Sequence, residues 1–274
     1  MADVGERQHS ALFLTRRILT QVWHHPNNRG RRGRAVAGAL AWQVTKRLRR
    51  TQQVRTVYGT MRIAMDPRFG SASNIVYFGE RFDRDEMGFL ARSLRPGDRF
   101  ADVGANIGTY TLLAASITGP DGRIDAVEAV PGTAAALRAN VARNDLGGRV
   151  RVHEVAVGAA PGRVRFRVDQ DVSNHLATAG DPVGSTVEVA VARLDDVLGP
   201  EPIAIAKLDV EGAETEALAG MRAHLHGDHP PVLILEVLAN TLARQGSSVD
   251  ALLALLAEAG YELARWSEDR AELT

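Results

Sequence analysis

Seven consecutive residues carry the strongest chemical signal in the chain. Asp102, Val103, Gly104, Ala105, Asn106, Ile107 and Gly108 close the apolar run 99–103 and lead into a second apolar run at 110–117. A glycine turn between a strand and a helix lies beyond the carboxyl end of the strand, where open parallel sheets bind ligands. Glycine lets the backbone turn sharply there and approach a ligand with no Cβ in the way. Spacing excludes two phosphate chemistries. A dinucleotide turn needs G-x-G-x-x-G, but counted from Gly104 this chain has Asn106 in the second glycine position and Thr109 in the third. Pyrophosphate would lose its close backbone approach. No glycine-lysine-serine or glycine-lysine-threonine follows, so the phosphate-cradling P-loop is missing as well. A nucleotide without phosphates fits the turn better.

S-adenosylmethionine is such a ligand, a nucleoside derivative: adenosine carrying a cationic sulfonium and an amino-acid tail. Asp102 is placed to take its ammonium, and a helix beginning near Thr109 favours its carboxylate. Glu128 ends the next apolar run, twenty residues after Gly108, where an acid can accept both ribose hydroxyls. Dinucleotide folds use an acid in the same place, so the glycine pattern decides between the two.

These residues need a scaffold of alternating strands and helices. Runs 99–103, 123–128 and 150–157 read as strands, with helices over 110–117 and about 132–144. The core resumes with strands at 202–210 and 232–237, a helix over 212–225, another over about 249–259 and a sixth strand from Tyr261 to Trp266. That alternation predicts βαβ units and a largely parallel sheet. Between Gly158 and Pro202 the rhythm breaks. RVRFRV and TVEVAV alternate apolar and polar residues on either side of a polar stretch, too long for an ordinary crossover loop. They predict a β-hairpin insertion that serves as a lid over the active site. Upstream, 54–67 and 75–83 read as strands and 83–94 as a helix stopped by Pro96 and Gly97.

DVGANIGTYT, the acid in AVEAVP, IAKLDVEGAETEALAG and VLILEV together resemble the FkbM family of S-adenosylmethionine-dependent methyltransferases. The resemblance runs from about Phe78 to about Leu263, and KLDVEGAE is its most specific piece. It implies an α/β, Rossmann-like, seven-stranded and mostly parallel methyltransferase sheet. It also implies O-methylation of a sugar, a glycolipid precursor or a secondary metabolite. Asp102, Gly104, Asn106 and Glu128 would hold the cofactor, with Ala156 and Val157 beside the adenine. Only SEDRAELT follows Trp266, which is short for a seventh strand.

Methyl transfer to oxygen is an in-line displacement at an activated carbon, so positioning does most of the work. A sugar hydroxyl is a poor nucleophile and needs a general base within hydrogen-bond reach, or a divalent metal that acidifies it. Asp209 ends the fourth core strand, next to the first in this winding, so its carboxylate should face the methyl group. His175, the one histidine in the hairpin segment, is the better-matched base near neutral pH. Lys207 stands out because the chain has 31 arginines and only two lysines. It either pairs with Asp209 or orients the substrate, and burial beside the acidic cluster explains it equally well. Glu211, Glu214 and Glu216 read as first-turn acids that favour a helix dipole, and Glu236 follows on the fifth strand.

Composition narrows the alternatives. The chain has 274 residues, 45% of them hydrophobic and 24% charged, enough for a packed core without staples. It has no cysteine, which removes disulfides, thiolate metal sites and a cysteine nucleophile. The opening MADVGERQHS lacks the pattern of a secretion signal, and no stretch is long and apolar enough for a membrane span. A cytoplasmic enzyme is the expectation. The even balance of 33 basic and 33 acidic residues hides an asymmetry, because residues 1–56 hold 12 of the basic residues and only two of the acidic ones. That leaves 21 against 31 in residues 57–274, a net of −10. The chain therefore divides into a basic helical arm at 1–56 and a methyltransferase domain at 57–274. Two helices split by HHPNNRG are predicted in the arm, which suits packing on its own body, an anionic membrane surface, a partner enzyme or an oligomer contact. An acidic body with 5% aromatic residues suits small or saccharide acceptors better than nucleic acid.

Two rival readings come from other classes. His224, Leu225, His226, Gly227, Asp228 and His229 spell H-x-H-x-D-H, a metal-binding signature of metallo-β-lactamase-type hydrolases. That motif should follow a strand, whereas here it follows a predicted helix, precedes Pro230 and Pro231, and no histidine lies beyond it. A non-catalytic domain that binds the cofactor or a partner is the other reading. Asp209, Glu211 and Lys207 weigh against it.

Overall fold

The computed structural model describes residues 11–48, 52–167, 175–176 and 186–274. They fall into two compact units, one formed by Met1–Arg55 with Ala64–Arg84 and the other by Thr56–Ile63 with Asp85–Thr274.

In the first unit, helices α1 (Ala11–His24) and α2 (Arg32–Arg47) are joined through a single 3-10 turn at Pro26–Asn28. Asn28 fixes that corner: fully buried, it donates from Nδ2 to the carbonyls of Val22 at 2.7 Å and Tyr77 at 2.8 Å. Strands β1 (Gln53–Val57) and β2 (Met61–Met65) form a two-stranded sheet whose residues Thr56–Ile63 belong to the second unit, and the chain then enters α3 (Gly70–Phe78). Trp42 of α2 is buried and donates its indole N–H to Ser73 Oγ at 2.9 Å. The helix at 70–78 replaces the strand expected over 75–83. Ile75 to Phe78 is a short apolar run that suits either period, and in the helix Ala72, Ser73, Ile75 and Tyr77 are buried.

The long stretch of the second unit, from Asp85 onward, takes in nearly all of α4 (Arg84–Ser93) and then alternates. Its elements are β3 (Arg99–Val103), α5 (Thr109–Thr118), β4 (Arg123–Val127), α6 (Pro131–Arg143) and β5 (Val150–His153). The chain then leaves the alternation. Strands β6 (Ala156–Val157), β7 (Gly162–Arg167), β8 (His175–Leu176) and β9 (Thr186–Ala192) form a separate sheet in the order β6-β9-β7-β8. The expected hairpin is its centre, with β7 and β9 antiparallel from Gly162↔Val191 to Arg167↔Thr186. The lid expected between them falls largely on 168–174 and 177–185, outside the described residues. After α7 (Leu194–Leu198) the core returns with β10 (Ile205–Leu208), α8 (Glu214–Ala219), α9 (Arg222–Leu225), β11 (Val232–Leu235), α10 (Ala239–Arg244) and α11 (Val249–Glu258).

The central sheet is parallel throughout, in the order β11-β10-β3-β4-β5. Strand order reverses between β3 and β10, and that switch point opens a crevice at the carboxyl ends. Phe100, Ala101, Ala206 and Leu208 have essentially no exposure, as strands covered on both faces require. Helix α5 buries eight of its ten residues, so it too is covered nearly all round.

Further expectations are corrected. Among the described residues the central sheet has five strands, where seven were expected. The sixth, expected over 261–266, does not form, because the segment is drawn away towards α4. Trp266 meets Phe89 edge-on at 5.6 Å, Glu268 pairs with Arg92 at 3.1 Å, and the Glu268 N–H donates to Asp85. Trp266–Ser267 then pairs with Glu272–Leu273 as a small hairpin. The strand expected over 150–157 is split after His153, its last two residues joining β9 in the other sheet. The helix expected over 212–225 breaks at Gly220, where a Cβ would stand 2.2 Å from the carbonyl oxygen of Gly158.

Candidate active site

The glycine turn is pinned to the neighbouring strand. The N–H groups of Gly104 and Ala105 both donate to the Val127 carbonyl at 2.9 Å. Gly104 has φ +82°, and a Cβ there would lie 1.9 Å from the carbonyl oxygen of Asp209. No other residue fits that position, since both the conformation and the space exclude a side chain. Asn106 follows at φ 51°, a left-handed conformation that asparagine tolerates. Its Oδ1 accepts the N–H of Ile107 at 2.8 Å. Gly108, at φ +93°, caps α5 and packs where a Cβ would be 2.6 Å from Leu137.

Glu128 binds the first two strand ends together. One carboxylate oxygen accepts the N–H of Asn106 at 3.0 Å and the other that of Val130 at 2.9 Å. The side chain is buried, which pushes its carboxyl up to about 7 despite the two N–H donors, and the charges of Asp102 and Asp209 add to the rise. Each oxygen of a carboxylate has a second lone pair, so the group can still accept from a ligand.

Asp102 lies fully buried at the end of β3. Its Oδ2 accepts the Thr111 hydroxyl at 2.5 Å, while Oδ1 has no hydrogen-bond partner among the described residues. Burial pushes its carboxyl above the usual range, and the nearby Lys207 ammonium opposes that shift. Lys207 is itself buried. Its Nζ donates to Asp209 Oδ2 at 2.9 Å and stands 4.6 Å from the centre of the Tyr110 ring, a cation–π distance. Asp209 keeps a partly exposed side chain and is anchored by its own N–H on the Val103 carbonyl at 3.0 Å.

A strained turn follows, with Glu211 at φ 55° and Gly212 at φ +104°. Glu214 closes it. Buried at the start of α8, its Oε1 accepts the N–H groups of Val210 at 3.2 Å and Gly212 at 3.1 Å. Glu214 and Glu216 do lie in the first turn of α8, as expected for dipole-favouring acids, but only Glu216 faces outward.

The structure therefore brings together Asp102, Gly104, Asn106, Glu128, Lys207 and Asp209 at the ends of β3, β4 and β10. Ala156 and Val157 lie beyond β5 in the second sheet, Ala156 buried. Glu236 is exposed past the end of β11. The backbone at His175 pairs with Arg167, and its side chain lies outside the described residues. Tyr110, Thr111 and the Val130 N–H are site groups that sequence reasoning missed. Polar Thr109, Ser116 and Thr118 stand in the same helix, so no pattern in the sequence singles out Tyr110 and Thr111.

The H-x-H-x-D-H segment has a different use. His224 Nδ1 lies 3.1 Å from Asp195 Oδ1, whose carboxylate also accepts the Ala223 N–H and pairs with Arg193. His226, Asp228 and His229 are exposed beyond α9. Among the described residues no three His, Asp or Glu side chains are grouped to hold a metal ion.

A profile described as the Methyltransferase FkbM domain matches residues 102–263, more than half of the chain. The chain belongs to the FkbM methyltransferase domain family. It is 34% identical over 160 residues to the 31-O-demethyl-FK506 methyltransferase FkbM of Streptomyces tacrolimicus. That alignment covers 47% of this chain and 61% of the relative, less than two thirds of its length. Among solved structures, the FkbM methyltransferase of Methylobacillus flagellatus aligns at 17% identity over 88% of this chain and 59% of that one, with a TM-score of 0.42. An O-methyltransferase of Bacillus cereus in complex with SAH aligns at 17% identity over 64% and 66% of the two chains, with a TM-score of 0.38. The FkbM match begins at Asp102 itself and spans β3 to α11, so it takes in the glycine turn, Glu128 and the Lys207–Glu214 segment.

Proposed function

We propose that the chain is an S-adenosylmethionine-dependent O-methyltransferase acting on a hydroxyl of a sugar, a glycolipid precursor or a secondary metabolite. The observation that carries this reading is the meeting of a side-chain-free backbone at Gly104 with three acids from three adjacent strand ends, Asp102, Glu128 and Asp209. In this reading the cofactor supplies a methyl group on cationic sulfur. Asp102 offers Oδ1 to its ammonium, the Gly104 backbone makes room for it, Asn106 shapes the turn, and Glu128 accepts from the ribose hydroxyls. Ala156 and Val157 form the apolar side of the adenine pocket, a role that rests on the family pattern.

Asp209 is the proposed general base. Lys207 holds one of its oxygens, and the carboxylate stays partly exposed at the carboxyl end of β10, open to an acceptor hydroxyl. His175 is the second candidate for the same proton. The acceptor class rests on the FkbM pattern and on the acidic, aromatic-poor composition of the domain.

Calorimetric titration with S-adenosylhomocysteine and, separately, NAD tests the cofactor. Micromolar binding of the first, lost in Glu128→Ala, supports the reading, whereas binding of NAD alone overturns it. Labelled methyl transfer to a panel of sugar acceptors then tests the base through Asp209→Ala and His175→Ala. Normal turnover in both variants, with cofactor binding retained, would remove both candidates.

A further inference from the structure

The first unit holds 15 basic residues against 5 acidic ones, a net of +10, and the second holds 18 against 28, a net of −10. Charge alone would describe a solvated surface. The apolar pattern on α2 adds a second feature. Ala35, Ala39 and Trp42 are buried, while Leu40, Val44 and Leu48 on the other side are 44%, 51% and 56% exposed. Spacing of four and eight residues puts those three on one stripe, and Ala37 and Ala41 within it are exposed as well. Arg47 projects beside the stripe and Arg34 at its margin, both exposed. At the end of α1, Trp23 is 45% exposed, with the Arg32 guanidinium 5.6 Å from its ring centre.

We infer that this helical face docks on an anionic lipid surface, independently of what the active site methylates. Aliphatic side chains sharing a face with arginines, with a half-exposed tryptophan at the end of the preceding helix, match the chemistry of a helix lying in the headgroup–acyl boundary. The arginines meet lipid phosphates, the aliphatic stripe enters the acyl edge, and the indole sits at the interface. A phosphodiester backbone would use the arginines and leave the stripe in water. No helix among the described residues is long and apolar enough to cross a membrane, so the contact is peripheral.

The experiment is co-sedimentation of the full chain with vesicles of phosphatidylcholine alone and of phosphatidylcholine mixed equally with phosphatidylglycerol. Binding is expected only to the mixed vesicles, with a blue shift of tryptophan emission that Trp23→Phe largely removes. Arg34→Gln with Arg47→Gln should weaken binding by about thirtyfold, from ~1 kcal/mol per basic residue near an anionic surface. Leu40→Glu with Val44→Glu should weaken it comparably while far-UV circular dichroism and S-adenosylhomocysteine binding stay unchanged. Equal binding to both vesicle types, or to neither, overturns the proposal. So does a solution dimer that Leu40→Glu dissociates, which would make this face a contact between two copies of the chain.

Discussion

Lys207 stands directly opposite Asp102 in the β10–β3 ladder, while its ammonium reaches along its own strand to Asp209 at 2.9 Å. One buried cation thus serves two carboxylates on adjacent strand ends, and Tyr110 covers it with the face of its ring. Removing the cation leaves Asp102 buried without it. Lys207→Met should therefore cost about 1–3 kcal/mol, the size expected when a buried polar group loses its partner. Urea unfolding at neutral pH reads the loss. The cost should shrink as pH falls, because protonated carboxyl groups no longer need the cation. A variant as stable as the parent at neutral pH would mean that Lys207 is merely tolerated there.

Gly104 is the narrowest point of the cofactor turn. Gly104→Ala forces φ +82° on a residue with a Cβ and drives that atom towards the Asp209 carbonyl, 1.9 Å away in the present backbone. Strain and overpacking together should cost about 2–5 kcal/mol. Thermal unfolding measures the stability, and calorimetry should find S-adenosylhomocysteine binding lost. Gly97→Ala is a useful control: it too has positive φ, but no atom lies within 4 Å of its added Cβ. It should lose less stability and keep cofactor binding.

Glu128 gives the protein a pH response of predictable sign. Its carboxyl is raised from 4.5 to about 7 by burial, so between those values the folded state holds the proton more tightly than the unfolded one. Its contribution to stability is present below about pH 4.5 and is lost as pH rises through about 7. The unfolding free energy of the parent, less that of Glu128→Gln, should fall across this window. Cofactor affinity should run the other way, since ribose hydroxyls donate to the carboxylate. S-adenosylhomocysteine should bind more tightly up to about pH 7, by no more than tenfold per pH unit, with the slope abolished in Glu128→Gln. A flat affinity profile in the parent would take the carboxylate out of the ribose contact.

Much of this site was readable before any fold was known, because strand ends and glycine turns are local. Gly104 and Gly108 have the positive φ that their spacing implied, and Glu128 ends its strand as the apolar run required. What escaped was set by distant partners. Ile75 to Phe78 was ambiguous in period, and packing within the first unit made it helical. The run from Tyr261 to Trp266 alternates like a strand, but Phe89 claims Trp266 at its end, and Arg92 and Asp85 claim Glu268 just beyond it. Tyr110 and Thr111 read as helix formers. Their second role depends on Lys207 and Asp102 lying beneath that helix, which no spacing along the chain reveals.

Glu214 is the case where a correct local reading was incomplete. It does stand in the first turn of α8, but its Oε1 also accepts two backbone N–H groups of the turn that carries Asp209 forward. Glu214→Ala would strand those donors in a buried site at a cost of about 2–4 kcal/mol, whereas Glu214→Gln keeps an acceptor oxygen and should cost about 1 kcal/mol. The same turn sets the Asp209 carbonyl against Gly104, so the damage should spread to the cofactor loop. Urea midpoints and S-adenosylhomocysteine affinity, measured on both variants, separate this clamp from a surface charge. A clamp predicts that the alanine variant loses both stability and affinity while the glutamine variant keeps most of each. A dipole effect alone predicts that alanine and glutamine behave alike, each losing no more than about 1 kcal/mol.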